Sequence, residues 1–406
     1  METIKVYAAI IGGGASGLMC ACVASKRHKD KKIVVVERDN RVGKKILVSG
    51  NSRCNLTNLS ATHENYHSSF ESGVNFLLEN YPPNKVLDYF YSIGLLTMAD
   101  SDSRVYPLSR QASAVLSVLR NELKRNNVQE ICDTTVKSIS KSGDCYKLHC
   151  NDKTIIAQKV VIATGGKNNY AQKVVGNSYE AAMSIGHKIT ELTPTLSPVK
   201  VDSKVIKSLK GIRAQGKVTA VVNSKKVKSE LGEIQFGVDC LSGICVFNLS
   251  RIINREKNAK VIVQLLPDYS FEEIKDMLYH RIKLTKNDSV QELFTGLFHK
   301  NIGIALLKCS GIDTSKTADK LTKAEILALA DTINRWSFDT IMSKDFSNAQ
   351  VTAGGVSGSE INPVTFESKK AKNIYLCGEA IDVDGDCGGF NLQFAFSSGM
   401  CVGEQL

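Results

Sequence analysis

"KVYAAIIGGGASGLMCACVASKR", Lys5 to Arg27, running on into "HKDKKIVVVERDN", His28 to Asn40, is the stretch whose reading decides the fold. The apolar run Val6 to Ile11 predicts a buried strand. The glycines predict a tight turn, and a helix is expected from about Ser16. A second apolar run, Ile33 to Val36, predicts another strand that ends in Glu37. Gly12, Gly14 and Gly17 stand in G-x-G-x-x-G spacing between the first strand and the helix. An acid lies twenty residues beyond Gly17. In that context the spacing points to a dinucleotide. Gly12 permits the turn, Gly14 lets the backbone approach a pyrophosphate, and Gly17 lets helix and strand pack closely. Amides at the helix start, around Ala15 and Ser16, face the phosphate charge. Glu37 is placed to accept hydrogen bonds from a ribose diol. An acid there suits an unphosphorylated ribose, hence FAD or NAD, while the neighbouring Arg38 covers the adenine side or softens that preference.

The next segment separates those two cofactors. "RVGKKILVSGNSRCNLTN", Arg41 to Asn58, has almost no helical periodicity and reads as a long irregular segment. An irregular stretch at this point suits a lid over an extended cofactor such as FAD. Lys44, Lys45 and Arg53 are available to neutralise phosphates, and Ser49, Gly50, Asn55 and Thr57 offer small donors and close backbone approach. Cys54 is alone: no second cysteine lies between Lys44 and Asn65. A dithiol relay would need a distant partner such as Cys387, with strict geometry. The thiol reads as a small residue in a tight turn, or as a nucleophile if Arg53 lowers its pKa. The following "HENYH", His63 to His67, matches H-E-x-x-H but lacks the apolar flanks of an amphipathic helix. No metal is expected.

Further on, "KVVIATGGKNNY", Lys159 to Tyr170, is a buried strand ending in Thr164, Gly165 and Gly166, as expected where a third strand meets the cofactor. Before it, Asp133 to Val161 alternates like a small antiparallel meander inserted in the parallel frame, with Val136 positioned to offer its backbone to an adenine. "KNIYLCGEAIDVDGDCGGFNLQFAFSSGMCVGEQL" repeats the strand-glycine-helix logic. A strand at Ile374 to Cys377 ends in Gly378 and Glu379, and a glycine pair, Gly388 and Gly389, leads into a helix from about Asn391. That helix start places partial positive charge beside a flavin pyrimidine.

Six blocks, "IIGGGASGLMCA", "GKKILVSGNSRCNLTN", "SRVYPLSRQASAV", "VVIATGG", "QVTAGGV" and "YLCGEAIDVDGDCGGFNLQFAFSSG", occur in order along the whole chain. In these the chain resembles the BaiN/YhiN-like flavoprotein family, NAD(P)/FAD-dependent oxidoreductases of which one branch includes aminoacetone oxidases. The resemblance implies an α/β fold: a Rossmann-like two-dinucleotide-binding domain holding noncovalent FAD, with an inserted antiparallel β-barrel and a helical domain. By position it makes Gly12 to Gly17, Glu37, Ser49 to Thr57 (Leu56 included), Thr164 to Gly166, and Gly378 to Leu392 (Phe390 and Asn391 included) candidates for the FAD site. It names no substrate.

Boundaries follow from the change of pattern: a first cofactor part at 1–190, a barrel at 191–265, a helical domain at 266–344, and a second cofactor part at 345–406. "KVTAVVNSKKVKSELGEIQFGV" alternates like barrel strands, and "LSGICVFNLSR" reads as a turn into a short helix. Ser270 with Glu273, and Thr322 with Glu325, are capping-box pairs that open helices. Phe271, Ile274 and Leu278, then Ile326, Ala330 and Ile333, make their apolar faces. The small-molecule substrate is expected where the insert faces the flavin. Arg104, Tyr106 and Arg110 are able to line a substrate pocket and are equally accounted for as surface or packing residues. No acid or base is assigned.

At 406 residues two or three domains are expected, and 43% hydrophobic content allows a sizeable core. Net charge is +11, and nine Lys or Arg between Lys200 and Lys228 face one acid, Asp202. That stretch lacks aromatic residues for base stacking, so nucleic acid is not the expected partner. Tyr7 to Ser25 is uncharged for nineteen residues, yet its glycines and the strand that follows fit a βαβ unit and no membrane span. Twelve cysteines without C-x-x-C, and no secretory signal, suggest a cytoplasmic monomer or homodimer with reduced thiols. An FAD-dependent oxidoreductase is the leading expectation, with NAD(P)H docking transiently because no second G-x-G-x-x-G occurs. An amine oxidase that makes hydrogen peroxide, and a non-catalytic nucleotide- or RNA-binding flavoprotein, are the alternatives.

Overall fold

The computed structural model describes residues 2–167 and 179–406. Asn168 to Tyr170, the tail of the third-strand block, lie outside the described residues. The chain is α/β and divides into two compact units, Met1–Thr193 with Phe346–Leu406, and Pro194–Asp345.

In the first unit, strand β1 (Glu2–Ile11) runs parallel to Lys153–Ile162 on one side and to β2 (Ile33–Val36) on the other. All four residues of β2 are buried, as a strand covered on both faces requires. The strand Gln129–Ile131 extends the sheet beyond β2, and Ile374–Leu376 pairs parallel with the second half of Lys153–Ile162. The first half of that strand pairs antiparallel with Cys145–Cys150, which pairs in turn with Val136–Ser142. The antiparallel meander thus joins the parallel frame in one continuous sheet, as expected. Its third strand is ten residues long and serves both kinds of neighbour along one edge.

Helix α1 (Ala15–Arg27) buries Ser16 to Ser25 without a break. One side is the sheet; the other is the terminal helix, Phe390–Gln405. A Cβ on Gly399 of that helix would lie 2.4 Å from the Ser16 carbonyl oxygen, and one on Gly403 would lie 2.8 Å from that of Cys20. The two helices touch backbone to backbone. This explains the long uncharged run, and among the described residues no helix is long and apolar enough to cross a membrane.

The second unit is a closed six-stranded barrel in the order Val199–Asp202, Cys240–Ser242, Lys225–Phe236, Arg213–Val222, Ala259–Gln264 and Trp336–Ile341. The last strand closes it by pairing with both Ala259–Gln264 and Val199–Asp202. The helices Phe271–Leu284 and Lys323–Asn334 lie between the last two strands in sequence, and both open on the expected capping boxes. Ile274, Leu278, Leu329 and Ile333 share one core with Val218, Phe236, Val261 and Trp336. The barrel expected at 191–265 and the helices expected at 266–344 thus share one compact unit, Pro194–Asp345. Its sixth strand comes after the helices, where Trp336 and Phe338 are buried and Ser337 and Asp339 exposed. Lys204, Lys207, Lys210, Lys225 and Lys226 of the basic stretch are exposed.

Candidate functional site

Four parallel strands end at one edge of the sheet, at Ile11, Val36, Ile162 and Leu376. The segments that follow them are the glycine turn, Glu37, Thr164–Gly166 and Gly378–Glu379. Parallel register therefore gathers candidates that lie more than 350 residues apart in sequence, at the edge where open α/β sheets bind ligands.

In the glycine turn, Gly12 has φ +108°, and a Cβ there would lie 2.3 Å from the Ala163 carbonyl oxygen. A Cβ on Gly17 would lie 2.0 Å from the Gly12 carbonyl oxygen. Both positions demand glycine for packing. Gly14 differs: a Cβ there meets nothing within 4 Å. Gly14 caps α1, whose first internal bond is Leu18 N–H to Gly14 O, so the amides from Gly14 to Gly17 precede the ladder. Glu37 is half-buried. Its Oε2 accepts from Gly13 N–H (2.8 Å) and its Oε1 from Asp39 N–H (3.0 Å). Burial raises its pKa, and those two amides pull the other way. Each oxygen keeps a lone pair for a diol. Gly13, inside the candidate run Gly12 to Gly17, thus meets the Glu37 carboxylate through its backbone. Arg38 is exposed. Thr134 N–H donates to Glu37 O (2.9 Å), which brings the segment leading to buried Val136 alongside.

The segment expected to be irregular contains a short helix, Lys44–Val48, and is corrected to that extent. It is entered through Gly43 at φ 76° and anchored by buried Ile46. A left-handed run follows, with Gly50, Asn51, Ser52 and Cys54 all between φ 54° and 63°. Non-glycine residues in that region carry strain that surrounding structure must hold. Arg53 N–H donates to Gly50 O, Cys54 N–H to Ser49 O, and Leu56 N–H to Val105 O. Cys54, Leu56 and Thr57 are completely buried. The lysines expected at phosphates have carboxylate partners: Lys44 lies 3.8 Å from Asp39, and Lys45 pairs with Glu379. The Arg53 guanidinium sits 5.6 Å over the Tyr106 ring.

On the facing segments, Gly165 (φ +72°) has open space where a Cβ would be, whereas one on Gly166 would lie 2.6 Å from Glu379 Oε1. Glu379 also accepts from Thr352 N–H (2.7 Å), so it ties three segments together. Gly378 N–H donates to Ser398 Oγ. Gly388 (φ 146°) and Gly389 (φ 103°) turn the chain into the terminal helix. Asn391 in its first turn clamps Gly385, accepting from its N–H (2.9 Å) and donating to its carbonyl (2.8 Å). Phe390 is buried and Leu392 half-buried. Thr57 Oγ1 donates to Gln393 Oε1 (2.6 Å), which locks the left-handed segment to that helix.

Two buried polar atoms in this region, Asn55 Oδ1 and Thr164 Oγ1, have no hydrogen-bond partner among the described residues. Buried polar atoms are seldom left so. With the open faces of Gly14 and Gly165 and the starts of two long helices, they fit a dinucleotide such as FAD. Cys54 is pushed up to about 12 by burial, with the Ser49 side chain pulling slightly down. The Cys387 thiol is raised by burial too, with Arg104 partly offsetting it. His63 lies in a 3-10 turn and His67 on a strand, where its Nε2 is 3.0 Å from Asp386 Oδ1. They do not share a helix face.

A family model described as "HI0933-like protein Rossmann domain" matches residues 6–405. The chain is 33% identical over 399 residues to a 3-dehydro-bile acid delta(4,6)-reductase of Clostridium scindens, covering 97% of each chain. It is 25% identical over 399 residues to the ribosomal RNA dihydrouridine synthase of Escherichia coli, covering 98% of this chain and 97% of that one. Among solved structures, the 3-ketosteroid delta1-dehydrogenase of Sterolibacterium denitrificans, in complex with 1,4-androstadiene-3,17-dione, aligns at TM-score 0.51 and 12% identity, covering 99% of each chain. A quinol-fumarate reductase with menaquinol aligns at TM-score 0.52 and 15% identity, covering all of this chain and 71% of that one. At those identities the structural likeness speaks to the fold alone.

Proposed function

The chain belongs to the HI0933-like Rossmann family and is an oxidoreductase, and on that premise we propose that it is an FAD-dependent reductase of carbon–carbon double bonds conjugated to a carbonyl. The observation that carries the cofactor is the cradle at the sheet edge, with Asn55 Oδ1 and Thr164 Oγ1 buried and without a partner among the described residues. In it the amides from Gly14 to Gly17 hold the pyrophosphate and Glu37 the adenosine ribose. The first turn of the terminal helix directs partial positive charge at the flavin pyrimidine. Bound FAD supplies the hydride; the chain orients the ring, keeps water away and manages the proton.

The substrate class comes from the two named activities. A 3-dehydro-bile acid carries a ketone in conjugation with the delta(4,6) double bonds, and uridine becomes dihydrouridine when its carbonyl-conjugated double bond is saturated. In each, saturating a double bond conjugated to a carbonyl takes a hydride at one carbon of the bond and a proton at the other. A small-molecule enone is the first reading, because the full-length likeness at 33% is to the bile-acid enzyme. A uracil within RNA is the second, favoured by the exposed lysines Lys204, Lys207, Lys210, Lys225 and Lys226 of the second unit. NAD(P)H would serve as a transiently docking donor, and the reducing cytoplasm would suit a chain whose twelve cysteines are all free.

Photoreducing the purified protein without oxygen and timing flavin reoxidation tests this. Reoxidation by a steroid dienone or cyclohexenone supports the first reading, and reoxidation by uridine-containing RNA alone supports the second. Reoxidation only by oxygen, with hydrogen peroxide formed, would return the amine-oxidase alternative.

A further inference from the structure

The segment that holds the short helix Lys44–Val48 is tied to the cofactor edge at two separate places. Just before the helix, Gly43 N–H donates to Gly13 O (2.8 Å), and a Cβ on Gly13 would lie 2.5 Å from Val42 Cγ1. Within the helix, the Lys45 ammonium pairs with Glu379 Oε2. Glu379 Oε1 accepts from Thr352 N–H (2.7 Å) and lies 2.6 Å from where a Cβ on Gly166 would be. Gly13 follows the strand ending at Ile11, Gly166 the strand ending at Ile162, and Glu379 the strand ending at Leu376. These three strands are neighbours in the sheet. Val42 to Lys45 therefore forms a strap across three adjacent strand ends, a span of about 10 Å. A left-handed glycine flanks the strap on each side, Gly43 at φ 76° and Gly50 at φ 54°. Buried Ile46 seats it on the core. The Lys45 side chain is 43% exposed and that of Glu379 17%.

We propose that Lys45 and Glu379 are a latch on cofactor exchange: FAD enters and leaves only when the pair parts and the strap lifts from the strand ends. This rests on the cofactor proposed above and is independent of the substrate class. The amides from Gly14 to Gly17 that would hold the pyrophosphate adjoin Gly13, whose carbonyl holds the start of the strap. Lifting the strap exposes Ile46 and separates two charges, so the closed arrangement dominates. The residue type alone suited Lys45 to a different role, direct neutralisation of a phosphate. The two roles leave different kinetic marks. A phosphate contact stabilises only the bound state, so its removal speeds release, does not speed entry, and weakens affinity. A latch that closes equally over empty and filled protein slows entry and release by one factor. Its removal speeds both and leaves the dissociation constant unchanged.

The test measures both rates by flavin fluorescence. Entry is followed as FAD-free protein takes up FAD, and release as loaded protein loses it to an excess of a second apoflavoprotein. Lys45→Met and Glu379→Gln are each expected to raise both rates about 3- to 10-fold, with the dissociation constant within about twofold of wild type. The double variant is expected to go no faster than either single one, because each removes the whole pair. Lys45→Arg keeps the charge and is expected to stay within about twofold of wild type. Unchanged rates in Lys45→Met, faster release without faster entry, or additive gains in the double variant would each overturn the latch. Wild type supplies a measurement that needs no variant: added salt screens a half-exposed pair and is expected to speed release, and salt-independent release would overturn the latch too. Wild type that takes up no FAD defeats the cofactor reading and the latch with it, an outcome distinct from FAD rates that the substitutions leave alone.

Discussion

Replacing Cys54 by Ser will leave FAD loading and most turnover in place. The thiol is completely buried, and burial raises it from 9.0 to about 12. At pH 7.5 a thiol of pKa 9 is about 3% thiolate, whereas one of pKa 12 is about 0.003%, a thousandfold less. Higher basicity makes each thiolate more nucleophilic. With a Brønsted slope near 0.45, three units return about twentyfold, which leaves roughly a fiftyfold net loss of reactivity before shielding is counted. Arg53 does not reverse this, since its guanidinium lies over the Tyr106 ring and only the Ser49 side chain lowers the thiol. Serine has no easier access than cysteine to the left-handed backbone at φ 57°, so the strain is the same in both. Burying a hydroxyl in place of the thiol costs about 1 kcal/mol. The assays are FAD content and turnover of Cys54→Ser, with iodoacetamide labelling of native wild type followed by mass spectrometry and exposed Cys309 as reference. Turnover lost by a factor of about 100 with FAD occupancy unchanged, or Cys54 alkylated as fast as Cys309, would refute the reasoning.

Heat-denatured protein will release FAD and not FMN, because the glycine turn and Glu37 address an adenosine and a pyrophosphate; chromatography of the released flavin decides. Gly17→Ala places a methyl 2.0 Å from the Gly12 carbonyl oxygen and will destabilise the fold, by about 1–3 kcal/mol if the turn yields. Gly14→Ala meets open space, so it will leave the FAD-free melting temperature unchanged while lowering FAD affinity; equal melting losses in both would contradict the geometry. Glu360 is opposed by burial but held down to about 2 by the Lys188 amide, His187 and Lys370. A depressed carboxylate contributes stability above its unfolded value of 4.5 and loses it as pH falls from 4.5 toward 2. Allowing for solvent screening, Glu360→Gln will cost about 1–2 kcal/mol at pH 7 and flatten the acid limb of a urea-melt pH profile.

Features governed by near neighbours were legible in the residues alone. The strand ending at Ile11, the turn at Gly12, the helix through Arg27 and the capping boxes at Ser270 and Thr322 each depend on contacts within a few positions. There the backbone dihedrals and hydrogen-bond partners are set by adjacent side chains, so spacing is enough. Tertiary structure alone decided which distant groups meet. Lys45 and Lys44 carried charge suited to phosphate, yet Glu379, 334 residues from Lys45, and Asp39 are their partners. Trp336–Ile341 read as the tail of a helical region until two barrel strands claimed its edges. That Asn55 Oδ1 and Thr164 Oγ1 lack a partner among the described residues had no signal in the sequence, because it is a property of everything packed around them. Burial and long-range pairing are sums over the whole fold, and no local spacing encodes them.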